Sequence, residues 1–162
     1  MKAQLLQHLQ YNLWANTSTI AFCKSLPAGK LQETCIGSFP SIEKTWLHIW
    51  DAQAIWLDRL NQQPILSWPS ANFEGGDLAI FDGILQSSND LIIKIQSLEK
   101  DLSNATISYK NMTGMEYKSS VADIIFHVVN HSTFHRGQII NMLQGLGVEN
   151  IESTDMITFS RL

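Results

Sequence analysis

Three histidines recur at four-residue intervals in the run Phe126-His127-Val128-Val129-Asn130-His131-Ser132-Thr133-Phe134-His135-Arg136-Gly137-Gln138. Residues four apart stand one above another on a helix, so a helix through this run carries a column of imidazoles. At about 100° per residue, Val121, Ile124, Val128, Ile139, Met142 and Leu146 form one apolar stripe. His135 falls close to its centre, His131 inside its edge, and His127 roughly a quarter turn from the centre. Burying two imidazoles without partners costs roughly a few kcal/mol. A shared divalent ion removes that cost; hydrogen-bonded core histidines are the competing reading. His127 and His135 are about 12 Å apart along the axis, too far to share one ion whose nitrogen ligands lie about 2 Å away. At most two of the three ligate one metal, and burial selects His131 with His135. His127 is left at the margin, hydrogen-bonded to a carbonyl or water.

The rest of the chain has the material to enclose such a site. Its 162 residues, 44% apolar and 16% charged, fit one globular domain spanning 1–162 with a substantial core. A net charge of −4 without a basic cluster excludes nucleic acid as a main partner, since phosphate binding needs concentrated Lys and Arg. Cys23 and Cys35 are too few for a disulfide framework or a cysteine-rich zinc site and read as inert packing thiols in the reduced state. Met1 to His8 breaks its apolar run too often for a signal peptide, and no stretch is apolar for long enough to span a bilayer. A soluble, cytoplasmic protein is expected.

Leu5, Leu9 and Leu13, with Leu6, Trp14, Ile20 and Ala21, predict a first helix over about residues 3–25, ended by Pro27-Ala28-Gly29. Ser41 is the expected N-cap of a second, running through Ile42, Trp46, Ile49, Trp56 and Leu60 to about Asn61. Residues 62–76, with two prolines and Gly75-Gly76, read as a loop whose Trp68 and Phe73 pack over something. Asp77 could cap a third helix, with Phe81, Ile84, Leu85, Ser88, Leu91, Ile92, Ile95 and Leu98 near heptad spacing. Ile107 and Tyr109, then Met115 and Tyr117, alternate with polar residues around Asn111-Met112-Thr113-Gly114 and predict a small hairpin. Ser119-Ser120 opens the fourth helix, Asp123 complements its dipole, and Gly145-Leu146-Gly147 ends it. The tail from Ile151 shows no regular pattern. The expected architecture is all-α: a four-helix bundle of the up-and-down type with a small β-hairpin before the last long helix.

A pair of histidines cannot complete a metal site, so a third ligand has to come from another helix. His48, in Trp46-Leu47-His48-Ile49-Trp50, sits amid heavy burial. His8, beside Gln7 and Gln10 near a terminus, reads as solvated. His48 is the better candidate.

Four segments resemble the DinB/YfiT-like superfamily of metal-binding four-helix proteins, unrelated to the DNA polymerase that shares the name. They are Tyr11-Asn12-Leu13-Trp14-Ala15-Asn16; Ser41 with Leu47-His48-Ile49 and Trp56-Leu57-Asp58-Arg59-Leu60; Asn130 to Gln138; and Ser153-Thr154-Asp155. The resemblance implies one divalent ion, nickel or zinc, held by His48, His131 and His135. It also implies homodimers through helix faces, for which Ile125, Val129, Ile140 and Leu143 offer a second apolar edge; ordinary core packing is the competing use of that edge. Characterised relatives include thiol S-transferases that use bacillithiol or mycothiol, and a thiol-dependent isomerase.

Three neutral imidazoles leave an ion its full double charge and an open position. A water or a low-molecular-weight thiol bound there would be acidified, so the expected chemistry is S-transfer or hydrolysis on a small-molecule substrate. A non-catalytic metal or small-ligand binding stress protein is the alternative, and a fourth ligand from Asp or Glu would favour it. Asp51 and Gln138, each one turn from a candidate ligand, could orient histidines or hold water, and Tyr11 and Asn12 could line the same cavity. Ordinary hydrogen bonding is the competing role for each. Gly137 is expected to permit close helix contact and Arg136 to pair with a neighbouring acid. Ser132 and His131 do not form a hydrolase pair, because adjacent helix residues do not face each other.

Overall fold

The structure, a computed structural model, describes residues 1–65, 67–98 and 101–162, with Asn72 described by its backbone alone. Four long helices carry it: α1 (Lys2–Lys24), α2 (Ile42–Leu60), α3 (Asp77–Ser97) and α4 (Val121–Gly145). Strands β1 (Thr106–Lys110) and β2 (Glu116–Ser120) precede α4, and a one-turn helix α5 (Met156–Phe159) follows it. The strands pair antiparallel with Tyr109 opposite Tyr117. Their turn is held by Asn111, whose Oδ1 accepts from the amides of Thr113 (3.0 Å) and Met115 (2.9 Å). No helix among the described residues is long and apolar enough to cross a membrane.

The helix ends follow from local chemistry. Ser41 Oγ accepts from Lys44 N at 3.2 Å and Ser120 Oγ from Asp123 N at 3.0 Å, so each caps its helix. Asp77 does not cap α3. Gly76 occupies that position without a side-chain bond, and Asp77 is the first helical residue, accepting from Gln32 Nε2 at 2.7 Å. Gly147, at φ 87°, ends α4 in the left-handed conformation that glycine adopts without strain. α3 stops at Ser97; the residues 99–100 that follow its C-cap lie outside the described ones.

α1 packs on α3 and α4, and α2 packs on the same two, so each long helix has two neighbours. Two apolar clusters fill the interior. One gathers Leu5 and Leu9 of α1, Leu60 of α2, Leu91 and Ile95 of α3, and Ile125 and Val128 of α4. The other gathers Ile20 and Cys23, Trp46 and Ile49, Ile80 and Ile84, and Ile139 and Leu143. α1 and α4 therefore run from the first cluster toward the second, and α2 and α3 run the opposite way. This corrects the up-and-down expectation. α2 and α3 are parallel, so residues 61–76 must carry the chain back along the length of α2. Polar contacts agree: Lys2 Nζ, at the start of α1, donates to Gln96 O near the end of α3 at 2.8 Å.

Between the clusters lies a layer of polar side chains contributed by all four helices. Arg136, 1% exposed, donates from Nη1 to Asn12 Oδ1 (2.7 Å) and Asn16 Oδ1 (2.9 Å), and from Nη2 to Thr133 Oγ1 (2.9 Å). Asn16 Nδ2 reaches Ser88 Oγ at 3.3 Å, and Gln53 Oε1 accepts from Ser87 Oγ at 2.6 Å with Ser88 Oγ 3.1 Å away. Arg136 thus pairs with amides and a hydroxyl instead of the acid expected for it. No carboxylate among the described residues lies within 4.0 Å of it, and its guanidinium stands over the Tyr11 ring at 5.6 Å.

Three further expectations change. The tail is not patternless: α5 places Phe159 against Tyr11 (6.0 Å between centroids) and Trp14 (5.6 Å). Of the edge Ile125, Val129, Ile140 and Leu143, all but Ile140, which is half-buried, are spent in the core, at 0%, 3% and 0% exposure, so it is not a free dimer surface. Gly137 is exposed, and an added Cβ there would meet nothing within 4 Å, so no close helix contact depends on it. The close approach is at Gly83, where a Cβ would collide with the Trp50 indole, itself edge-on to Phe73 of the connection (6.2 Å). Urea denaturation should therefore find Gly83→Ala destabilised by about 1–3 kcal/mol through overpacking and Gly137→Ala stabilised by about 0.5–1 kcal/mol through helix propensity. A neutral Gly83→Ala would show that Trp50 is not pinned against α3.

Candidate metal centre

α4 projects His131 and His135 from successive turns, and α2, running antiparallel beside it, brings His48 to meet them. Ring centroids are 4.7 Å apart for His48–His131, 4.6 Å for His48–His135 and 4.5 Å for His131–His135. One nitrogen from each of the three lies within 4.8 Å of the others, a group that could hold a metal ion. His48 Nε2 and His131 Nε2 approach to 2.9 Å. Ligands spaced tetrahedrally around zinc at about 2.05 Å are about 3.3 Å apart, so the His48–His131 pair is within a few tenths of an ångström of ligand spacing, with the His135 nitrogen inside 4.8 Å of both.

The electrostatics fit a cation. Burial, with repulsion from His135, His48 and His127, pushes the His131 pKa down to about 4. Burial and His135 lower that of His48, against a smaller opposing pull from Asp51. Both rings are neutral at neutral pH and keep a lone pair. His131 Nδ1 is buried without a hydrogen-bond partner among the described residues. Gln138 Oε1 lies 2.9 Å from His135 Nδ1, and Gln138 Nε2 donates to Ser38 Oγ at 2.7 Å. A proton on His135 Nδ1 is therefore held by an amide oxygen, and Nε2 is free to bind. A donor set of three imidazoles without a carboxylate suits a borderline divalent ion such as zinc or nickel.

The surroundings shield one side and open another. Phe39, from the segment before α2, lies 4.4 Å from His48 and 5.6 Å from His135, between centroids. On the other side His48 opens onto a cavity of about 430 Å³, also lined by Asp51, Ile55, Trp56, Arg59, Trp68 and His127. Asp51 is fully engaged there: its carboxylate accepts from Ser70 N at 2.8 Å and Ser70 Oγ at 2.5 Å, tethering the crossover connection.

The remaining sequence candidates fall elsewhere. Tyr11 and Asn12 are buried with Arg136 and are absent from the lining of this cavity. His8 Nδ1 lies 2.8 Å from Gln4 O on the exposed side of α1. His127 packs against Trp56 (5.5 Å) and His131 (5.7 Å) and walls the cavity, with no hydrogen bond among the described residues. Cys23 is buried under the Trp46 indole, whose Nε1 donates to Sγ at 3.3 Å; burial raises its pKa to about 12, so it is no nucleophile. Phe39, Trp56, Arg59 and Trp68 were not read as site residues. For two of them a signal existed: His48, Ala52, Ile55, Trp56 and Arg59 follow one helical face.

A family model described as "DinB family" matches residues 1–160. The chain belongs to the DinB family. It is similar to Protein DinB of Bacillus subtilis (strain 168), at 26% identity over 145 residues that cover 85% of this chain and 83% of that one. Equilibrium dialysis against zinc or nickel should give one ion per chain. His48→Ala, His131→Ala and His135→Ala should each weaken binding at least about a hundredfold, and Gln138→Leu about tenfold. His127→Ala should leave it unchanged. Metal content unaltered in His48→Ala and His135→Ala would rule the assignment out.

Proposed function

We propose that the chain is one DinB-like domain, a cytoplasmic four-helix bundle in which His48, His131 and His135 hold a single nickel or zinc ion for chemistry on a small molecule. The observation that carries this reading is the convergence of three imidazoles from two helices, with an open cavity beside His48. A divalent ion bound there supplies a Lewis acid that lowers the pKa of a water or thiol ligand. The chain's own residues supply the rest. Gln138 fixes the tautomer of His135, Phe39 covers His48 and His135 on one side, and Trp56 and Trp68 provide apolar walls against which a substrate can be held. Activation of a low-molecular-weight thiol for S-transfer is the leading reaction and hydrolysis by activated water the second.

The competing reading is a non-catalytic metal or small-ligand binder. It calls for a closed ligand set, and the group of three contains no carboxylate. The nearest acid by sequence, Asp51, is held by Ser70 instead. A homodimer, which the family resemblance suggests, would use a surface other than the buried edge of α4. The test is a panel of thiol acceptors and activated esters offered to protein with one ion per chain. Conjugation or hydrolysis should fall at least about a hundredfold on chelation and in His135→Ala, in keeping with the loss of a Lewis acid. A fully metallated protein that turns over nothing in the panel would favour the binder.

A further inference from the structure

The cavity beside His48 is asymmetric in charge, and the asymmetry lies in Arg59. Its guanidinium carbon stands 4.5 Å from the Trp56 ring centroid and 4.6 Å from that of Tyr109. Two aromatic faces thus hold the planar group in place, with its N–H edges left for acceptors. No carboxylate among the described residues lies within 4.0 Å of it, and its Nε is buried without a hydrogen-bond partner there. A half-buried cation with unused donors gives up hydration without recovering it from the protein. An oxyanion recovers it, because Arg presents a fork that matches a carboxylate. At the opposite end, the Asp51 carboxylate sits one turn from His48, so an anionic group is repelled there and a neutral group is accepted.

We propose that Arg59 is the recognition residue for a carboxylate on the small-molecule ligand of this cavity. The carboxylate pairs with the guanidinium, the apolar body lies against Trp56, Trp68 and Ile55, and the reacting end points toward the three histidines. This rests on the cavity being the reaction site, but the recognition itself needs no metal. The ligand class is a small monocarboxylic acid with an apolar body. Arg59 also borders a neighbouring hollow of about 540 Å³, lined by Gln62, Pro64, Ile65, Lys110 and Met112 among others; that hollow is the more polar of the two, so the ligand's apolar body is placed on the histidine side.

The test uses 3-phenylpropionate and its uncharged counterpart 3-phenylpropionamide, titrated into metal-free and zinc-loaded full-length protein. Calorimetry and tryptophan fluorescence read the binding. Wild type should prefer the carboxylate by at least about tenfold, the scale of one charge-assisted hydrogen-bonded pair. Arg59→Gln should bind both alike, and Arg59→Lys should retain part of the preference. Ala52→Phe, which fills the histidine side of the cavity, should abolish binding. Protein stripped of metal by a chelator should keep the preference, which separates failure of this assignment from failure of the metal site. Each variant's melting temperature checks that it is folded, and Arg59→Lys carries the test if Arg59→Gln does not fold. No carboxylate preference in wild type, an undiminished preference in Arg59→Gln or, where that variant does not fold, in Arg59→Lys, or binding that survives Ala52→Phe would overturn the proposal.

Discussion

A buried guanidinium without a carboxylate sets the terms for the rest of this molecule. Arg136 is almost wholly enclosed, and its hydrogen bonds go to two amides of α1 and one hydroxyl of its own helix. An ion in such a place is tolerated when most of its donors are met, and here both Nη atoms are, with Nε left without a partner among the described residues. Asn12 and Asn16 can meet them only if α1 lies at one height and one rotation against α4. Asn16 then reaches Ser88, and Ser88 approaches Gln53, so the same requirement extends to α3 and α2. An apolar core alone permits helices to slide by a turn; this layer penalises every such slip with an unpaired polar group.

The layer also fixes where the histidines meet. His135 stands immediately before Arg136 and His131 two residues before Thr133, and His48 precedes Gln53 by little more than a turn. Registering α4 against α1 and α2 against α3 at the layer therefore sets the height at which His48 faces the other two. Apolar clusters above and below exclude solvent from both ends. Parallel α2 and α3 add the last part, because the chain must return along α2. That return is the connection whose Trp68 walls the cavity and whose Ser70 occupies Asp51. The topology thus builds the cavity beside the three imidazoles.

Much of this was written in local sequence. Helix positions follow from apolar spacing, the Ser41 and Ser120 caps from their hydroxyls, and the hairpin from two alternating stretches around an Asn-Gly turn. The choice among histidines followed from helix geometry, since residues eight apart cannot share an ion. Helix direction was harder, because periodicity says which face is buried and not which neighbour covers it. A connection of some fifteen residues is far longer than antiparallel neighbours need, a signal that the expectation of an up-and-down bundle passed over. The roles of Arg136 and Phe39 were hidden for a different reason. A buried arginine paired with asparagines carries no spacing rule, and Phe39 reaches the histidines from a segment whose path only the tertiary structure defines.

The central claim is that one ion is bound by three imidazoles drawn from two helices. X-ray absorption at the metal edge of zinc- or nickel-loaded protein addresses it directly. Three imidazole rings with nitrogens at about 2.0–2.1 Å for zinc, and light-atom ligands filling the remaining positions, are expected. In His48→Ala that pattern should disappear with the ion. Sulfur scattering, a bound carboxylate in place of a ring, or a spectrum unchanged in His48→Ala would contradict it.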